Sequence, residues 1–108
     1  MAYEQALQCL GDPTRRAIFQ RLRSGPASVA LLAKGMPVSR PAVSQHLRTL
    51  KLAGLVTDRA DGNRRIYHVD PRGLDELRHW LEGFWDEALL EFKHEVESNP
   101  RRRGRKQK

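Results

Sequence analysis

Arg40, Ser44, Gln45 and Arg48 follow one another at steps of four, one and three residues. At about 3.6 residues per turn, such steps put all four on one side of a helix. Their chemistry is directional hydrogen bonding. A guanidinium grips guanine O6 and N7 together, a glutamine amide matches adenine N6 and N7, and a serine hydroxyl serves a base or a phosphate. Ser39 and Pro41 open the same segment. A serine cap there leaves backbone N–H groups at a helix start, where a phosphate binds. A second group, Arg59, Arg64 and Arg65, gathers around Gly62. Three guanidiniums beside a tight turn repel one another, and a phosphate or a narrow minor groove relieves the repulsion. Alone, the first group fits an ordinary solvated helix face and the second a charged surface loop. In this order along one chain, they point to double-stranded DNA.

Capping residues and apolar periodicity define the elements around these side chains. Tyr3, Ala6, Leu7 and Leu10 make a short amphipathic helix that stops at Gly11. Asp12-Pro13 caps a second helix, with Ala17, Ile18 and Leu22 inward and Gly25-Pro26 beyond its end. Ser28 caps a third, with Val29, Leu32, Ala33 and Met36 on one stripe and Gly35 and Pro37 as stops. Ser39 caps the fourth, expected over residues 39–53. There Val43, Leu47 and Leu50 are apolar, Pro41 is tolerated in the first turn, and Gly54 ends the helix. Strands are expected over residues 55–59 and 64–69, flanking the turn cluster Ala60-Asp61-Gly62-Asn63. After Asp70-Pro71, apolar residues recur at three- and four-residue steps from Leu74 to Val96. That predicts a last helix of about 24 residues, roughly 36 Å long, ended by Asn99-Pro100. The order α-α-α-α-β-β-α is that of a winged helix-turn-helix, mainly helical with one small hairpin, its wing at residues 56–69.

The chain of 108 residues is long enough for one small core. No apolar stretch approaches the roughly 20 residues of a membrane span, and no secretory leader is visible at the start, so a cytoplasmic protein is expected. One cysteine, Cys9, excludes an intrachain disulfide and a multi-cysteine zinc site within one chain. The net charge of +7 is unevenly spread. Residues 1–73 carry 12 basic and 5 acidic side chains, residues 74–100 carry 2 and 8, and residues 101–108 carry 6 and none. The basic front suits a polyanion partner. Residues 1–98 are expected to form the domain, and residues 99–108 a basic disordered tail. No phosphate-binding glycine loop, nucleophile elbow or apolar carboxylate pair suggests an enzyme.

The segments 10–16 (LGDPTRR), 39–47 (SRPAVSQHL) and 50–56 (LKLAGLV), with the basic hairpin ending in Ile66-Tyr67, resemble the ArsR-type winged-helix transcriptional regulators. The resemblance runs over about residues 3–97 and implies a homodimer. The fourth helix would then enter the major groove of operator DNA, with the wings on the flanking minor groove or backbone. Members are mostly repressors released by an inducer or a partner. Their arsenic and cadmium sites use a Cys-x-Cys pair that falls here on Ser28 and Ala30, neither a soft ligand. The zinc and nickel pattern keeps His94 and Glu97, but its other positions fall on Leu81 and Gly83. No metal or cofactor is therefore expected, and the effector is unknown. His46 either ties its helix to the backbone or meets DNA, and Tyr67 either packs or touches a phosphate.

The last helix is the expected dimer element. Trp80 and Trp85 lie about 140° apart on its wheel, so one side of a small core cannot bury both. The stripe Leu77, Leu81, Phe84, Ala88, Phe92 and Val96 is longer than the rest of the domain can cover. A two-fold partner would cover it, together with Trp85 and with Tyr3 and Leu7 of the first helix. Two other readings remain open: a winged-helix module that binds an acidic protein partner, and a metal-dependent repressor.

Overall fold

The computed structural model describes residues 2–98. The tail expected at 99–108 and the stop at Asn99-Pro100 lie outside the described residues. Five helices and a hairpin follow the expected order: α1 (Ala2–Leu10), α2 (Pro13–Leu22), α3 (Val29–Lys34), α4 (Arg40–Leu52), β1 (Val56–Asp61), β2 (Arg64–Val69) and α5 (Pro71–Ser98). The described chain falls into two compact units that divide between Leu77 and Arg78. No helix among the described residues is long and apolar enough to cross a membrane.

In the first unit, short polar residues start the helices. Asp12, Ser28 and Ser39 are N-caps of extended backbone, and their side chains accept from the amides of Arg15, Leu31 and Ala42. Each such cap is worth about 1 kcal/mol. The end of α1 is closed differently, by side chains of α2. Arg15 Nε donates to the Cys9 carbonyl at 2.8 Å, and Arg16 Nη1 donates to the Leu10 carbonyl at 2.8 Å. Two cations of the basic front are thus used inside the fold. The core is aliphatic, with Ile18, Leu32, Val43, Leu47, Leu50 and Leu55 fully buried. It draws on α2, α3, α4 and the entry to the wing, so the helix-turn-helix and the hairpin share one interior.

Three boundaries differ from the expectation. Gly35 caps α3, so Met36 packs against the core from outside the helix. β1 begins at Val56 and runs on to Asp61, which pairs with Arg64, so the turn is only Gly62-Asn63. Gly62 has φ 65° in the first central position, the arrangement that glycine gives a two-residue hairpin. α5 has 28 residues.

The connection from α4 into the wing is tightly bonded. Gly54 adopts φ 79°, its amide donates to the Lys51 carbonyl, and the Leu55 amide donates to the Leu50 carbonyl, both at 3.0 Å. This 6→1 and 5→2 pair ends α4 and puts Leu55, an expected strand residue, into the core instead. On the far side of the hairpin, Tyr67 exchanges two backbone hydrogen bonds with Ala27, at 2.9 and 3.1 Å. The wing is therefore fixed both to the end of α4 and to the residue before the Ser28 cap.

In the second unit, Leu81, Phe84, Trp85, Leu89 and Phe92 are between 42% and 65% exposed. Trp80 meets Phe84 edge-on, with ring centroids 4.8 Å apart, and is half-buried, whereas Trp85 is not covered. Leu77 departs from the expected stripe. It is already buried within its own protomer, so the uncovered row starts at Leu81.

Candidate nucleic-acid interface

The side of α4 away from the core carries the expected residues. Ser39, Arg40, Pro41, Ser44, Gln45 and Arg48 are all exposed, because Val43, Leu47 and Leu50 claim the other side. The start of α4 has few amides to offer. Ala42 donates to Ser39 Oγ and Pro41 has no N–H, leaving those of Ser39 and Arg40 for an anion. His46 is half-buried, with Nδ1 inside the protein and no hydrogen-bond partner among the described residues. Tyr67 is half-buried and packs against the core.

α4 and the wing enclose a groove of about 400 Å³ whose lining includes Ser44, Gln45, Arg48, Arg65 and Tyr67. The structure thus brings Ser44, Gln45 and Arg48 of the first cluster and Arg65 of the second to one concave surface, and leaves Arg40, Arg59 and Arg64 outside it. On the far side of Arg40, a second open groove of about 520 Å³ reaches from Lys34 to Arg64. Arg59 is exposed near the wing tip and stands opposite Ile66 in the ladder.

The three wing arginines are less crowded than their spacing suggests. Arg64 faces Asp61 at 3.6 Å, and Arg65 donates to Asp58 at 3.1 Å. Asp58 also takes Lys51 at 2.7 Å. Among the described residues, Arg40, Arg48 and Arg59 have no carboxylate partner, so their donors are available to a ligand. Sequence reasoning missed Lys51 and Asp58. The signal was present, since Lys51 lies three residues beyond Arg48 on the same helix side, but a lone aspartate in a basic strand gave no hint of its partners.

Three carboxylates are held below their ordinary value of 3.8: Asp12 by the Arg15 amide, Asp58 by Lys51 and then Arg65, and Asp70 by the Arg72 side chain and amide. A carboxylate whose folded pKa is lowered stabilises the fold fully above its unfolded pKa. That contribution is lost as pH falls through the folded value. The thermal midpoint is therefore expected to stay level from about pH 7 to 5 and to drop below about pH 4. Asp70→Asn should lower the neutral midpoint and flatten part of the acid limb. A melting series by circular dichroism checks both.

Comparison with known proteins agrees with this geometry. A family model described as a helix-turn-helix domain matches residues 10–59. The chain is 53% identical over 95 residues to the HTH-type transcriptional regulator Rv2034 of Mycobacterium tuberculosis, covering 88% of this chain and 89% of that one. It is 31% identical over 85 residues to the arsenical resistance operon repressor of Staphylococcus xylosus, covering 76% and 82%. A solved structure from Mycobacterium bovis superposes with a TM-score of 0.65 at 25% identity, covering 82% of each chain. It is the homodimeric winged helix-turn-helix DNA-binding domain of a possible ArsR-family regulator. With a basic exposed face on α4, a wing beside it and relatives of this kind, the chain belongs to the ArsR family of winged helix-turn-helix transcriptional regulators.

Proposed function

We propose that the protein is a dimeric repressor that reads an inverted-repeat operator. The observation that carries this reading is the shared groove, which sets Ser44, Gln45 and Arg48 of α4 against Arg65 of the wing. Arg40, Ser44, Gln45 and Arg48 meet base edges in the major groove, with Ser39, Pro41 and His46 lining the same entry. Arg59, Arg64, Arg65 and Tyr67 meet the flanking backbone or minor groove. The uncovered row on α5 pairs with a second copy, and Tyr3 and Leu7 of α1 contribute to the same interface. Residues 1–98 then act as one DNA-binding and dimerisation domain in the cytoplasm, without catalysis.

A two-fold pair of readers fits half-sites about one helical turn apart, roughly 34 Å. If a dimer neutralises about eight phosphates, log K falls against log salt with a slope near −7. Arg40→Ala is expected to cost about 1–3 kcal/mol at one base position, whereas Arg64→Ala weakens all duplexes alike and flattens the slope by about 2 per dimer. Equal losses on operator and scrambled DNA for Arg40→Ala would remove its base-reading role.

The decisive test is a fluorescence anisotropy titration onto the region upstream of the gene and onto a scrambled duplex, at about 150 mM salt with chelator present. The reading expects at least hundredfold tighter binding to the upstream DNA, as sequence-specific DNA-binding proteins typically prefer their sites over random ones by ~10³–10⁷. Equal weak binding to both would favour a protein partner instead.

A further inference from the structure

Asp58 stands where the reader and the wing meet. Its side chain is 5% exposed, while those of Lys51 and Arg65, which grip it, are 54% and 60% exposed. Lys51 Nζ lies 2.7 Å from one carboxylate oxygen and Arg65 Nη1 lies 3.1 Å from the other. Lys51 sits in the last turn of α4, on the side that carries Ser44 and Arg48. Arg65 is on β2. All five side chains line the groove between α4 and the wing. The Lys51 hydrogen bond, with Arg65 behind it, keeps Asp58 ionised at neutral pH.

A carboxylate in this place opposes tight binding to any nucleic acid. It repels phosphates and occupies two of the donors that would neutralise them. The wing does not depend on it for attachment, since the Leu55 turn and the Ala27–Tyr67 bridge already fix both sides. We propose that Asp58 is a specificity-determining residue. It withholds Lys51 and Arg65 from the backbone phosphates of arbitrary DNA, and releases them only where base contacts from α4 seat the reader. The proposal rests on the DNA-reading role of α4 and the wing. Its physical basis is that phosphate contacts add affinity without sequence information, each adding about 0.9 to the salt slope. A reader that makes fewer of them on random sequence keeps a low background.

Asp58→Asn keeps the size and one acceptor oxygen while removing the charge. Binding to a random duplex is measured by anisotropy between about 50 and 300 mM potassium chloride. Asp58→Asn is expected to bind this duplex about tenfold tighter at 150 mM, with a slope steeper by about 1–2 per protomer. Its preference for the upstream DNA should shrink accordingly. Arg65→Gln and Lys51→Gln are each expected to flatten the salt slope on the upstream duplex by about 2 per dimer, and the slope on the random duplex by less than half of that. Weaker or equal binding by Asp58→Asn with an unchanged slope would reduce Asp58 to a wing anchor and overturn the proposal. Equal flattening of the slope on both duplexes in Arg65→Gln would overturn it as well. Should Asp58→Asn fail to fold by circular dichroism, the two glutamine variants decide the matter alone. Native protein that binds no duplex at any salt would overturn the DNA reading itself, an outcome separate from any change of slope.

Discussion

A Trp85→Glu variant is expected to elute as a monomer and to bind a two-half-site operator at least a hundredfold more weakly than the native protein. Trp85 is 65% exposed and lies in a hollow of about 480 Å³ lined also by Leu81, Phe84 and Ala88, with Arg78 and Glu82 at its edge. A tryptophan covered by a second copy would bring about 150–250 Å² of contact area. A carboxylate in its place must lose its water when two copies pair, which costs several kcal/mol. The loss on DNA then follows from linkage. Two joined readers gain ~10²–10⁴ over one because the second binding step is intramolecular. Breaking the pair leaves each half-site to be held alone. Light scattering with size-exclusion chromatography gives the mass, and helix content by circular dichroism shows whether the protomer is intact. A dimeric, fully binding Trp85→Glu would move the interface off this row.

The second large effect is one methyl group. Gly73 lies in the first turns of α5, and a Cβ there would run into the Gly54 carbonyl oxygen, 2.7 Å from its carbon and 3.3 Å from the Leu55 Cα. All three atoms are backbone, in the turn that ends α4, so no side chain can swing aside. Gly73→Ala is expected to destabilise by about 3 kcal/mol, the upper end for overpacking. That corresponds to a thermal midpoint lower by roughly 12–20 °C. Gly83→Ala is the control, ten residues further along the same helix. Nothing lies within 4 Å of its added methyl, so helix propensity alone acts and should stabilise by about 0.8 kcal/mol. If both substitutions behave alike, the close approach of α5 to the Gly54 turn is not holding the fold.

What the sequence disclosed and what it hid divide along physical lines. Caps are local chemistry, so Asp12-Pro13, Ser28 and Ser39 mark their helices where the structure has them. The exposed face of α4 was equally legible, because Arg40, Ser44, Gln45 and Arg48 need only the helical period to share it. Contacts between distant segments left no local trace. The Ala27–Tyr67 bridge joins residues forty positions apart. The grip of Lys51 and Arg65 on Asp58 depends on how α4 meets the hairpin, which no spacing records. For the same reason the wing read as three mutually repelling arginines, although two of them have acidic neighbours. Leu77 illustrates the opposite failure. It keeps the period of the exposed row, yet its burial is decided by packing at the start of α5.

The hairpin is fastened at its base and bare at its tip. Leu55 and Ala27 hold it below, while Asp61, Gly62, Asn63 and Arg64 are all exposed. Its length is therefore an adjustable quantity. Two residues added to each strand beside the Gly62-Asn63 turn keep every side chain on its present face, because the strand repeat is two. An odd insertion turns the outer rungs over, unless a bulge absorbs it. The reach of the hairpin can thus be extended or trimmed from the tip without the interior taking part.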